Sequence, residues 1–383
     1  MAYDMATPLE ERIREMLSLE SEEAPVGRAV RILLDDAAAA GVSDIHLTPA
    51  PDGLQIHYRL DGTLLSKGKL EPARSGQFLR KIKVLSGILT YRSDIAQDGQ
   101  IPAEKFGGGT DIRVSFFPTI HGEKAVLRLF LHGAEKFNLD QLGFPERIVT
   151  SLRGAIARPD GVILLTGPSG SGKTTTIYSL LSEIARPVGE TMRHVVTIED
   201  PVEHQIPGVT QTQVNPEAGL TFGYSLRSLL RQDPQVIMVG EIRDRETARV
   251  AMEAGLTGHL VISTIHSGTA AGVVVRLTEM GVEGHILTAS LSCVLAQRLV
   301  RRICREGREG CEKCHGTGYR GRAVFGEILQ ISDPLRAAIT EKASRGSLEE
   351  IAMSDGMVPL REGAEQLLAD EVTSDEEIRR VMG

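Results

Sequence analysis

Ten residues, GPSGSGKTTT at 167–176, follow directly on the short apolar run Val162–Thr166. The spacing Gly167-x4-Gly172-Lys173-Thr174 suits a strand–loop–helix that cradles phosphates. Glycines at Gly167, Gly170 and Gly172 allow backbone N–H groups to turn inward, and Pro168, Ser169 and Ser171 complete the loop. Lys173 is expected to reach the β- and γ-phosphates of a nucleotide. Thr174 is expected to place its hydroxyl on Mg²⁺, and Thr175 continues the helix. The plainer reading is a glycine-rich turn before a helix, which the flanking strand and helix patterns argue against.

Nucleotide hydrolysis needs a water to be oriented and the γ-phosphate charge to be stabilised. In VIMVGEIRD, Glu241 closes an apolar strand and is placed to hold Mg²⁺ through water, while Gly240 stands where an aspartate is usual. In TIEDPVE, Glu199 and Asp200 end another strand, where a general base would sit. The residue types leave open whether Glu199 or Glu241 is that base. Either acid taken alone also reads as a solvated strand end. TGHLVISTIHS carries His259 and His266 at the two ends of a strand. Seven strand residues span about 23 Å, so the two histidines cannot share one metal ion. His266, at the C-terminal end where ligands bind in such sheets, is expected to sense the γ-phosphate.

The elements that must position these groups follow from periodicity. The 383 residues are 41% hydrophobic and 25% charged, enough for two or three cores. Net charge is −8, which argues against direct contact with nucleic acid. No apolar run approaches the ~20 residues of a membrane helix, and the N-terminus lacks the apolar stretch of a signal peptide, so a cytoplasmic protein is expected. Residues 1–24 read as a short acidic helix on a loose tether. Residues 25–133 read as a small α+β domain. In it a helix ends near Gly41, SDIHLTP forms a strand, a hairpin turns at Asp61-Gly62, a helix covers 73–87, and two strands meet at His121-Gly122. Residues 134–140 read as a linker. Within 141–383, apolar strands at 161–166, 194–198, 235–239 and 259–265 alternate with helices, the pattern of a helix-covered parallel sheet. Beyond about 285 the chain reads as mainly helical, broken by the Gly- and Cys-containing segment 304–322.

In this order, GPSGSGKTTT, TIEDPVE, LRQDPQVIMVGEIRD and TGHLVISTIHS resemble the Walker A, Asp, Walker B and His boxes of the secretion ATPase superfamily. The nearest likeness is to the assembly ATPases of type II secretion and type IV pili. It extends to SDIHLTP, RVSFFPTIHGEKAVLRLF and GYRGRAVFGEIL, covering roughly residues 25–383. The resemblance implies an α/β fold: a P-loop, RecA-like ATPase domain with a smaller N-terminal α+β, PAS-like domain and a mainly helical C-terminal part. It further implies ATP and Mg²⁺ as cofactors and a homohexamer with nucleotide between the two domains. An inner-membrane platform protein would receive the motion, bring the ATPase to the membrane periphery and add pilin or pseudopilin subunits to a fibre.

In such families arginines of the first domain reach the phosphates; the matching positions are Arg113 in DIRVS and Arg128 in VLRLF. A hairpin closed near His121-Gly122 would set these two at similar distances from the turn. Arg227 and Arg231, four apart, read as structural or as interface residues. The C-terminal stretch from SLEEIAMSDGMVPLREG onward looks like the assembly branch. The competing readings are a retraction motor of the same superfamily, a DNA-uptake or conjugation ATPase, and a nucleotide switch without turnover.

Two departures stand out. The extra N-terminal domain that often docks on a membrane-anchored partner has no counterpart, so a truncated or naturally short form is expected. The family often holds zinc with two Cys-x2-Cys pairs. Here Cys311-x2-Cys314 is intact, but Cys304 faces Gly307 at the second position of its pair. Neither Cys293 nor His315 is well placed to substitute. The segment is therefore expected to pack without zinc; were zinc held, its ligands would be Cys304, Cys311 and Cys314.

Overall fold

A computed structural model describes the chain apart from residues 1–8, 19–23, 107–110, 130–136, 190 and 308–310. It divides into two compact units, Met1–Gly133 and Ala134–Gly383.

In the first unit, α1 (Leu9–Ser18) and α2 (Ala24–Ala39) precede the meander β1 (Asp44–Ala50), β2 (Gly53–Leu60) and β3 (Thr63–Leu70). Then α3 (Pro72–Ser86) leads to β4 (Gln97–Ile101), the single turn α4 (Ala103–Phe106) and the hairpin β5 (Ile112–Thr119) and β6 (Gly122–Leu129). The six strands pair in the order β3-β2-β1-β6-β5-β4, and every pairing is antiparallel. Alternation decides the faces: Ile45, Leu47, Ile56, Tyr58, Val114, Phe116 and Leu127 are buried with Leu33 and Leu34 of α2 and Phe78 and Ile82 of α3. Asp61 and Gly62, with φ of 48° and 84°, form the β2–β3 turn, the pair of left-handed residues that a two-residue hairpin favours. The short acidic helix expected within 1–24 is α1: Leu9, Ile13, Met16 and Leu17 are buried in this core, and Arg12 pairs with Asp36 of α2. Of the expected linker, residues 134–136 lie outside the described residues. Its remainder is held by Asn138, whose side chain accepts from the Asp140 N–H at 3.1 Å.

The second unit begins with α5 (Glu146–Ile156), β7 (Gly161–Thr166) and α6 (Lys173–Ile184). Next come β8 (Val195–Glu199), β9 (Val209–Gln213), α7 (Phe222–Leu229), β10 (Val236–Val239), α8 (Arg245–Leu256) and β11 (Leu260–Thr264). The helices α9 (Ala270–Glu279) and α10 (Gly284–Ser290) lead to the long strands β12 (Leu291–Ile303) and β13 (Tyr319–Gln330). Four helices follow: α11 (Asp333–Thr340), α12 (Arg345–Ser354), α13 (Leu360–Ala369) and α14 (Asp375–Met382).

The seven-stranded sheet runs β13-β12-β7-β11-β10-β8-β9. All pairings are parallel except β12–β13. Every residue of β7, β8 and β10 is buried, as expected of strands covered on both faces. After residue 285 helices predominate, as expected, but 291–303 and 319–330 add two strands to the sheet. Leu291, Val294, Leu295 and Leu299 mimic a helical stripe, but both faces of β12 are buried over its first half, so periodicity is blurred. Among the described residues no helix is long and apolar enough to cross a membrane.

Candidate functional site

The parallel strands of the second unit deliver their C-terminal ends to one edge. There the glycine-rich loop turns from β7 into α6. Gly167, Gly170 and Gly172 have φ of 148°, 77° and 88°, a backbone that side-chain-bearing residues rarely adopt. A Cβ on Gly167 would lie 2.5 Å from the Gln297 carbonyl oxygen and 2.6 Å from Ser171 Oγ. Pro168, Ser169 and Gly170 are exposed, Ser171 is buried, Thr174 is half-buried and Thr175 is exposed. Lys173 folds back on the loop, its Nζ donating to the carbonyls of Gly167 at 2.8 Å and Pro168 at 3.0 Å. Burial holds this ammonium below the usual lysine range; Glu241 works against that shift and Arg298 adds to it.

Glu241 follows β10 and is the carboxylate of the cationic side of the site. Its Oε1 lies 2.8 Å from His266 Nε2 and its Oε2 accepts from Arg243 Nε at 2.6 Å. Arg243 also approaches Asp200, at 3.9 Å. A cavity of about 370 Å³ opens here, lined by Glu241, Arg243, His266 and Arg276. At Gly240, which stands where an aspartate is usual, a Cβ would sit 3.2 Å from the Ile198 carbonyl, a tight contact. His259, at the other end of β11, faces the Ala254 carbonyl at 3.2 Å and belongs to the end of α8.

Glu199 does not share this setting. It is 3% exposed. Its Oε2 accepts from the Tyr178 hydroxyl of α6, and its Oε1 accepts from Thr197 Oγ1 at 2.6 Å and Gln211 Nε2 at 3.0 Å. With three donors on two oxygens, it ties α6 to β8 and β9. The two candidate bases thus stand in different settings: Glu199 is buried with its own hydrogen-bond donors, whereas Glu241 lies beside Arg243 and His266. Tyr178, buried and bonded to a carboxylate, keeps its proton well above the usual tyrosine range. Arg227 pairs with Glu246 of α8, and Arg231 donates to the Arg227 carbonyl at 3.1 Å.

In the first unit, Arg113 and Arg128 are direct partners across β5 and β6. Asp44 of β1 is in register with Arg128 on one side and Arg59 on the other. Arg128 Nε donates to Asp44 Oδ1 at 2.9 Å, and Arg59 Nε stands 3.7 Å from Oδ2. One row on the sheet face away from the core thus carries three arginines and one aspartate. Sequence reasoning missed Arg59, whose place is set only by strand register.

The cysteine segment is also brought together. The sulfurs of Cys304, Cys311 and Cys314 lie within 4.8 Å of one another, and Cys304 Sγ is 3.8 Å from Cys311 Sγ. The reading of Cys304 as isolated is corrected: the β12–β13 hairpin returns the chain beside it, with Cys304 N–H donating to the Gly318 carbonyl at 2.8 Å. Zn–S bonds of about 2.3 Å in a tetrahedron give sulfur separations of about 3.8 Å, so the donor set fits three corners of a zinc site. Burial pushes the Cys314 thiol up, but hydrogen bonds from the Cys311 and Gly318 backbone and the neighbouring thiols outweigh it and bring it down to about 7. Cys293 is buried within β12, apart from this cluster.

The family described as type II/IV secretion system protein matches residues 19–380. The type IV pilus assembly ATPase PilB of Thermus thermophilus is 39% identical, over 94% of this chain and 43% of its own length. The type II secretion system protein HxcR of Pseudomonas aeruginosa is 41% identical, over 94% of this chain and 77% of its own. This chain therefore spans less than half of the first relative. Among solved structures, the ADP-bound pilus retraction motor PilT superposes with a TM-score of 0.65 at 26% identity, covering 92% of this chain and 96% of that one.

Proposed function

The chain belongs to the type II/IV secretion system protein family, and from that premise we propose that it is an ATP-hydrolysing motor for assembly of a pilin or pseudopilin fibre. The observation that carries this reading is the meeting, at one sheet edge, of the glycine loop and Lys173 with Glu241 and its partners His266 and Arg243. In this proposal the loop from Gly167 to Gly172, with Lys173 and Thr175, holds the phosphates of ATP. Thr174 and Glu241 are the residues suited to Mg²⁺, which when bound neutralises charge on the phosphates. Glu241 releases His266 or Arg243 when nucleotide enters and orients the attacking water, and His266 reports the γ-phosphate. Glu199 keeps α6 aligned. Arg113 and Arg128 complete the site from a first unit, within a homohexamer whose domain motions follow nucleotide state.

The proposed setting is the cytoplasmic side of an inner membrane, reached through a platform protein and without direct nucleic-acid contact. Assembly is favoured over retraction because a pilus assembly ATPase and a type II secretion protein match this chain at 39% and 41% identity. The three thiols are proposed to take zinc weakly, for want of a fourth protein donor among the described residues. Complementation tests the whole reading. In a strain lacking this gene, the wild-type chain should restore the surface fibre or secretion, and a Lys173→Ala chain should not.

A further inference from the structure

β12 runs beside β7 and against the phosphate loop. Gln297 on it is 1% exposed, and its Nε2 donates to the Ser171 carbonyl at 2.7 Å. The approach is close enough that Gly167 has no room for a side chain against the Gln297 backbone. Ser171 Oγ and Gln297 Oε1 are both buried without a hydrogen-bond partner, so this one amide bond is the polar link at the contact. The next residue, Arg298, spans two backbones. Its Nη1 donates to the Gln297 carbonyl at 3.0 Å and its Nη2 to the Gly268 carbonyl at 2.6 Å. Gly268 lies in the turn between His266 and α9. The far side of that turn is held by Glu327 of β13, 4% exposed, whose oxygens accept from the N–H of Ala270 at 2.7 Å and of Leu360 at 2.9 Å.

We infer that Gln297 and Arg298 are positioning residues for the nucleotide site, Gln297 for the phosphate loop and Arg298 for the turn that carries His266. The inference rests on the reading of that loop as a nucleotide site. In a trans peptide the carbonyl and the following N–H point in opposite directions. An amide that draws Ser171 O towards β12 therefore fixes the Gly172 N–H on the opposite side. Small residues make up the loop, and Lys173 is committed to the carbonyls of Gly167 and Pro168. Its shape is thus imposed from β12. Removing one partner of a buried hydrogen bond leaves the other unsatisfied, and the loop must then relax before it binds. Arg298 holds the second wall to the same strand, so the two walls move as one piece.

The test uses the full chain and ADP with Mg²⁺ as the probe. Gln297→Met keeps length and apolar packing but removes the donor, and Gln297→Glu keeps shape but cannot donate when ionised. Both are expected to weaken ADP affinity about tenfold and raise the KM for ATP in parallel, with a melting temperature near that of wild type. Arg298→Met is expected to lower kcat at least fivefold while ADP affinity stays within about twofold. Wild-type ADP affinity in Gln297→Met overturns the role of Gln297. If that variant does not fold, Arg298→Met decides, and wild-type kcat there overturns the inference. Failure of the unmutated chain to bind ADP would instead strike the nucleotide-site reading itself.

Discussion

Arg113 and Arg128 face each other directly across the β5–β6 ladder, with Asp44 in register beyond Arg128. Like charges opposite one another are unfavourable in a sheet, and Asp44 accepts from Arg128. Such an arrangement suits an anion that both guanidinium groups can meet. Arg113→Ala and Arg128→Ala should each lower turnover at least roughly tenfold while nucleotide affinity falls much less. Steady-state kinetics beside ADP titration checks this; equal loss in affinity and turnover would reduce the arginines to ground-state binders.

Glu241 and Glu199 should separate cleanly. Glu241→Gln is expected to bind nucleotide and lose most turnover, since the group lost faces Arg243 and His266. Glu199→Ala is expected to lower stability by roughly 3 kcal/mol, because Tyr178, Thr197 and Gln211 lose a buried shared acceptor. Denaturant titration reads the second effect and phosphate release the first. A fully stable Glu199→Ala chain without turnover would return the base role to Glu199.

Acid should loosen the C-terminal helix α14 from β12. Glu377 is fully buried; Arg301 donates to it from Nη2 at 2.7 Å and Arg380 from Nη2 at 2.6 Å. Burial raises its pKa, but these guanidinium groups outweigh that and bring it down to about 2. A carboxylate with a depressed folded pKa stabilises above its unfolded value and loses that contribution as pH falls through the folded one. The loss should therefore run from about pH 4.5 down to about pH 2. Glu377→Gln should flatten the stability curve in this window, as read by denaturant titration at stepped pH.

Three thiols at zinc-like spacing, with no fourth protein donor beside them among the described residues, should hold the ion poorly. Elemental analysis after dialysis against a mild chelator should give well under one zinc per chain. A stoichiometric, chelator-resistant ion would mean that a fourth donor completes the site.

The apolar strands at 161–166, 194–198, 235–239 and 259–265 were legible because strands buried on both faces leave unbroken apolar runs. The phosphate loop was legible because its backbone demands glycine at fixed offsets. β9 was not, since VTQTQ is a polar edge strand with no apolar period. β12 was lost to its accidental helical stripe, and with it Gln297, Arg298 and the meeting of Cys304 with Cys311, all of which exist only once β12 pairs with β7 and β13. Glu199 showed its acid but not its burial, because Tyr178 reaches it from another element.

Phosphate release from Mg·ATP by the full chain, measured for the wild type and for Lys173→Ala side by side, tests the central claim most directly. In the proposed site Lys173 supplies the ammonium for the β- and γ-phosphates, so the wild type should release phosphate steadily and the variant should show none above background. No release by the wild type, or equal release by both, would contradict the assignment of this chain as an ATP-driven motor.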